Sequence, residues 1–254
     1  MILAIDVGNT NIVLGLIENG EILDNTIRTR TERDATWAEY AIKLKDFFDF
    51  LEIDPKTVEK SIISSVVPGV TDNIINAVEH LTKKECIKVE YNMDSGISIK
   101  IDDPSTLGAD LLVGAVGAVE YYGAPCIMID LGTGTTITAV DKTGAFIGGA
   151  IIPGVALSYN ALSSGTSLLP SISITAPGMC IGKNTVDCMR SGAVYGTASL
   201  VDGMIDRFKE EMGECAVVAT GGLANAIVKE CRNKIIIDDE LLLKGLWVLY
   251  KRNA

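Results

Sequence analysis

One short pattern occurs twice, half a chain apart, and it narrows the folds open to these 254 residues. Ile5-Asp6-Val7-Gly8-Asn9-Thr10-Asn11-Ile12 stands near the start and runs on to Asn19-Gly20. Ile129-Asp130-Leu131-Gly132-Thr133-Gly134-Thr135-Thr136 follows 124 residues later and runs on to Thr143-Gly144. Asp6 aligns with Asp130, Gly8 with Gly132 and Gly20 with Gly144. Each copy reads as a strand entering a tight glycine turn, a returning strand, a second turn and a third strand. A duplicated β-meander accounts for both copies more economically than two coincidences.

The segments after each copy fit one plan. Thr36 to Phe50 has helical spacing, with Trp37, Tyr40, Ala41, Leu44, Phe47 and Phe48 on one stripe. Ser61–Val67 reads as a buried strand ended by Pro68-Gly69, and a helix follows over Thr71–Leu81. In the second half, Ser191–Met212 reads as one long helix, Cys215–Thr220 as a strand and Leu223–Cys231 as a helix. Glu240–Lys251 forms a last helix. Meander strands followed by alternating helices and strands predict a mixed α/β sheet in each of two lobes, 1–106 and 107–254, with a junction helix over 107–122.

Charge and composition exclude some functions. The net charge is −11 and the basic residues are scattered, which argues against a nucleic-acid partner. Backbone N–H groups and a bound cation can still hold a nucleotide's phosphates. No stretch reaches the ~18 apolar residues of a membrane helix, and no targeting segment precedes Asp6, so a cytosolic location is expected. The six cysteines contain no Cys-x-x-Cys pair and read as reduced, mostly buried thiols. His80, the single histidine, falls on a helix among charged neighbours and reads as a surface or partly packed residue.

A turn that presents N–H groups to phosphate needs glycine where backbone must come close, and hydroxyl residues that can donate. Both hairpins meet that need, and the aspartate before each turn can orient a cation or its water shell. Gly221-Gly222, between a strand and a helix, offers bare backbone for an adenine ring or is a simple tight turn. Asp110 opens the junction helix in Gly108-Ala109-Asp110. It could accept a proton from an attacking hydroxyl, or be there because a helix start favours an acid. Gly148-Gly149 to Pro153-Gly154 reads as a loop over an acceptor or a crossover. Thr185 and Ser191 read as ligand contacts or helix caps.

Taken in order, these motifs resemble those of the type III pantothenate kinases, members of the acetate and sugar kinase/Hsc70/actin superfamily. The resemblance spans essentially the whole chain. It implies a duplicated ribonuclease H-like, actin-like ATPase fold and ATP-dependent phosphorylation of pantothenate, the first step towards coenzyme A. It further implies Mg²⁺ with ATP, a monovalent cation (K⁺ or NH₄⁺) and a homodimer. By resemblance, Asp6, Val7, Gly8, Asn9, Thr10, Asn11, Ile12 and Val13 would hold ATP phosphates, and Thr133 would contact ATP, as would Gly221 and Gly222. Asp130 would bind the monovalent cation and Asp110 would be the proton acceptor. Gly108, Ala109 and Thr185 would lie beside pantothenate. Leu111 and Ile101 stand where the family has Arg and Tyr in that pocket. Those two departures keep a kinase of another small hydroxyl compound, and a catalytically weak regulator like the Bvg accessory factors, as alternatives.

Overall fold

A computed structural model describes residues 1–23 and 26–254. The first half begins with β1 (Ile2–Val7), β2 (Asn11–Glu18), β3 (Glu21–Ile22) and β4 (Ile27–Arg30), followed by α1 (Trp37–Phe50), β5 (Lys60–Ser65), α2 (Pro68–Thr82) and β6 (Cys86–Lys88). β1 is antiparallel to β2 and parallel to β5, β6 continues beside β5, and β3 and β4 both pair with β2. After β7 (Ser98–Ile99) and α3 (Ala109–Tyr122) comes the second meander, β8 (Cys126–Leu131), β9 (Gly134–Val140) and β10 (Ala145–Pro153). The chain then runs through α4 (Val155–Ser164), α5 (Thr185–Ser191), α6 (Thr197–Met212), β11 (Ala216–Thr220), α7 (Ala224–Val228), β12 (Ile236–Ile237) and α8 (Leu241–Asn253).

The two sheets have one topology. The first is ordered β3-β2-β1-β5-β6 with β4 also on β2, and the second β12-β11-β8-β9-β10-β7. Each is therefore a three-strand meander extended, on the far side of its first strand, by two later parallel strands in succession, and β7 is an addition beside β10. Turn chemistry fixes both meanders. Asn19 and Gly20 both take positive φ, 53° and 92°, the twist a two-residue hairpin needs. In the second copy the Asp141 carboxylate accepts from the backbone N–H of Thr143 and Ala145, and Gly144 takes φ 78°.

Contacts divide the chain into two units: Met1–Gly96 with Asp102–Glu120 and Leu241–Ala254, and Ile97–Ile101 with Tyr121–Glu240. In the first, Leu3, Ile5 and Val7 on one face of β1 join a core with Tyr40, Leu44, Phe47, Phe48, Ile74 and Val78 from α1 and α2. Each such side chain contributes about 1.5–3 kcal/mol on burial. Thr36 caps α1 in a reciprocal capping box with Glu39, so the helix starts where its stripe begins. On the opposite face Gly15, paired with Ala4, leaves room for Leu243 of α8; a Cβ there would stand 2.7 Å from Leu243 Cδ1. In the second unit Ile127, Ile129, Val201, Ile205, Val217 and Ala219 are among the side chains of the core under α6.

Three local expectations differ from the structure. The long helix expected over Ser191–Met212 starts at Thr185 and is interrupted by a π-turn at Gly192–Gly196, where Tyr159 Oη crowds the Cα of Gly192. Helix α2 begins at Pro68 rather than Thr71, because proline suits the first helical position, whose N–H needs no partner. Of the six cysteines only Cys86 and Cys126 are buried, while Cys180 and Cys188 are exposed.

Candidate functional site

In the first unit, β1 ends at the Gly8–Thr10 turn, and register places Asp6 between Val13 of β2 and Ser64 of β5. Asp6 is only 9% exposed. Gly8 N–H donates to Asn11 O at 2.9 Å and closes the turn. The chain after β4 then straps it. Thr31 Oγ1 donates to Gly8 O at 2.7 Å, Thr31 N–H to Thr10 O at 3.0 Å, and Arg33 to Asn9 Oδ1 at 2.9 Å. Thr31 and Arg33 carry no motif, so the sequence reading missed them. Asn9 and Thr10 are exposed and Gly8 and Asn11 half-buried. The Val7 and Ile12 side chains belong to the core, which leaves their backbone as the part that can meet a ligand.

The second unit repeats the arrangement. Asp130, one residue before the end of β8, lies between Thr136 of β9 and Thr220 of β11, and Gly132 N–H donates to Gly134 O at 3.1 Å across a tighter turn. Gly221 takes φ 98°, and a Cβ there would strike Asp130 Oδ1 and come within 2.7 Å of Leu131 N. Glycine at 221 therefore lets β11 turn directly against the aspartate. Gly222 beside it is exposed. Gly154 has the same kind of reason: a Cβ would collide with the Thr133 and Gly132 carbonyls. Thr133 is itself exposed.

Each hairpin aspartate has an orphaned hydroxyl at its paired register position. Ser64 Oγ and Thr136 Oγ1 are buried without a hydrogen-bond partner. Side chains at paired positions lie on the same face of a sheet. A carboxylate with hydroxyl and carbonyl oxygens nearby is the donor set of a hard cation, so the residues at both hairpins fit one.

Asp110 sits in the first turn of α3. Its Oδ1 accepts from Leu111 N–H at 2.8 Å and crowds the Cα of Gly108, where a Cβ would stand 2.6 Å away. Burial pushes its carboxyl above the ordinary aspartate range, and the Leu111 N–H pulls it part of the way back. Ala109 and Leu111 are half-buried beside it. In the other unit Ile101 is half-buried, its Cγ2 3.9 Å from where a Cβ of Gly148 would be. Thr185 is the exposed first residue of α5, capped by Asn184, whose side chain accepts from Asp187 N–H. Ser191, at the other end of that helix, is tied to Cys180 O.

One sheet topology built twice, each copy with an aspartate one residue before the end of its first strand and a glycine turn after it, defines the actin-like ATPase and sugar kinase fold. A protein from Clostridium difficile, the activator of 2-hydroxyisocaproyl-CoA dehydratase solved with bound ADPNP, shares this fold at TM-score 0.54 and 13% identity, covering 98% of this chain and 93% of its own. A Campylobacter jejuni protein described as a Baf family transcriptional activator does so at TM-score 0.60 and 19% identity, covering 99% and 98%. The family model for type III pantothenate kinase matches residues 2–207. A type III pantothenate kinase of Exiguobacterium sibiricum is 41% identical over 253 residues, 100% of both chains. The chain belongs to the type III pantothenate kinase family.

Proposed function

We propose that the chain transfers the γ-phosphoryl group of ATP to the primary hydroxyl of pantothenate, giving 4′-phosphopantothenate and ADP at the entry to coenzyme A synthesis. Full-length identity of 41% to a type III pantothenate kinase carries this reading, and the doubled aspartate hairpin supports it. The Gly8–Asn11 turn, strapped by Thr31 and Arg33, presents backbone N–H groups and the Asn9 and Thr10 side chains to the phosphates; Thr133, Gly221 and Gly222 meet the nucleotide from the second hairpin. Asp6 holds the water shell of Mg²⁺, and Asp130 with Thr136 binds K⁺ or NH₄⁺. These cations neutralise phosphate charge when bound.

Asp110 is the group that takes the proton from the attacking hydroxyl. A carboxyl raised by burial is a stronger base than an ordinary aspartate. Gly108, Ala109, Leu111, Ile101 and Thr185 contact pantothenate. Leu111 cannot offer the forked donors of a guanidinium, so the acceptor's carboxylate relies here on other groups. The protein works in the cytoplasm; among the described residues no helix is long and apolar enough to cross a membrane. It works as a homodimer, through the apolar side chains left exposed on β10, α4 and α6: Ile151 (79%), Leu157 (53%) and Leu200 (38%).

Mass spectrometry of the product from Mg-ATP, K⁺ and pantothenate tests the function. A phosphorylated pantothenate formed at turnover rates supports it. Phosphorylation of a different small hydroxyl compound in preference, by folded protein, overturns it.

A further inference from the structure

The segment 180–191 holds two features that the phosphoryl-transfer reading leaves unused: the exposed thiols of Cys180 and Cys188. Two anchors bring them together. Ser191 Oγ donates to Cys180 O and lies 3.8 Å from Cys180 Sγ, which seats Cys180 against the last turn of α5. Two residues on, Gly182 packs against the same helix: a Cβ there would stand 2.8 Å from Cys188 Cα, and Cys188 Sγ donates to Gly182 O at 3.3 Å. Residues 180–182 therefore run along the helix from Ser191 to Cys188. Cys188 and Ser191 are three apart on α5, so their Cβ atoms lie about 5–6 Å from each other on one face. Cys180 thus lies beside Ser191, one turn along the same face of α5 from Cys188; the Cβ–Cβ span of a disulfide is about 3.5–4.5 Å, so closure draws residues 180–182 towards Cys188.

We propose that Cys180 and Cys188 form a dithiol modification site that closes to an intramolecular disulfide by exchange with a small disulfide. One thiolate attacks a sulfur of RSSR, forming a mixed disulfide and releasing RS⁻. The second thiolate then attacks the protein sulfur and releases the second RS⁻. In total two protein thiols are oxidised and RSSR is reduced to two RSH. The other cysteines do not compete. Burial raises the thiols of Cys86, Cys126 and Cys231 to about 12, and that of Cys215 is raised as well, so little thiolate forms there.

Closure ties both ends of the stretch that carries Thr185. If Thr185 contacts pantothenate, as proposed above, the disulfide form has an altered KM for pantothenate and an unchanged KM for ATP. The test treats the purified full-length protein with glutathione disulfide and follows intact mass, peptide maps and steady-state kinetics. The expected product has lost two hydrogens and yields a Cys180–Cys188 cross-linked peptide. Dithiothreitol reverses it, while Cys180→Ser and Cys188→Ser each stop at a single glutathione adduct. Two separate glutathione adducts on the wild type, or no reaction at either cysteine, would overturn the site. Closure with an unchanged pantothenate KM supports the site and overturns the role given to Thr185, so the two readings fail separately.

Discussion

In the proposed mechanism the chemistry rests on one carboxyl, that of Asp110. Its neutral form is favoured by burial, so the folded state binds that proton more tightly than the unfolded chain does. The ionised carboxylate therefore costs stability above its folded pKa, and the cost disappears as pH falls through that value. Asp110→Asn should lower kcat about 10²–10⁴-fold, the usual size of a general-base contribution, while thermal denaturation at neutral pH shows a melting temperature equal to or above that of the wild type. The pH profile of kcat/KM should have an acid limb above the ordinary aspartate pKa of about 3.9, set by Asp110 and lost in the variant. Leu111→Arg supplies the guanidinium that the family has at this position, and it should lower the pantothenate KM by about tenfold, equivalent to ~1.4 kcal/mol, with the ATP KM unchanged. The Gly-Ala-Asp motif marks Asp110 in the sequence; its burial could not be seen there, because that depends on what α3 packs against.

Among the elements, the hairpins were the most legible part of the chain, since aspartate, glycine and hydroxyl residues at matching offsets leave few alternatives to a β-turn. Their supports were not. Thr31 and Arg33 hold the first turn from outside its motif, and Gly221, readable as bare backbone for an adenine ring or as a tight turn, gives no sign in the sequence that its Cα packs against Asp130. Gly221→Ala meets both a positive φ and the Asp130 carboxylate. It should cost about 1–3 kcal/mol from the backbone alone and weaken ATP binding, read by denaturant unfolding and nucleotide titration. Thr36→Ala, which removes the α1 cap, should cost ~1 kcal/mol and lower the melting temperature by about 2–4 °C without changing turnover at 25 °C. The π-turn at Gly192–Gly196 escaped the sequence reading for a different reason. One extra residue turns the helix face by about 100°, but Gly192, Ala193, Gly196 and Ala198 leave no continuous apolar stripe along which that turn would show.

At the scale of the whole molecule the doubled topology was legible because the repeat itself is visible, whereas the short strands β6, β7 and β12 were not, being two or three residues each. A dimer closed over the apolar faces of β10 and α4 should be broken by Leu157→Asp, with sedimentation giving a monomer. The proposed activity of the whole molecule is phosphoryl transfer to pantothenate with Asp110 as base. The most direct test is ADP release by wild type and Asp110→Asn in Mg-ATP and K⁺, with and without pantothenate, alongside ATP binding by both proteins. Pantothenate-dependent ADP release by the wild type, its loss in the variant, and equal ATP binding by the two are the expected result. Wild-type protein that is folded and binds ATP but releases no ADP in response to pantothenate would contradict it.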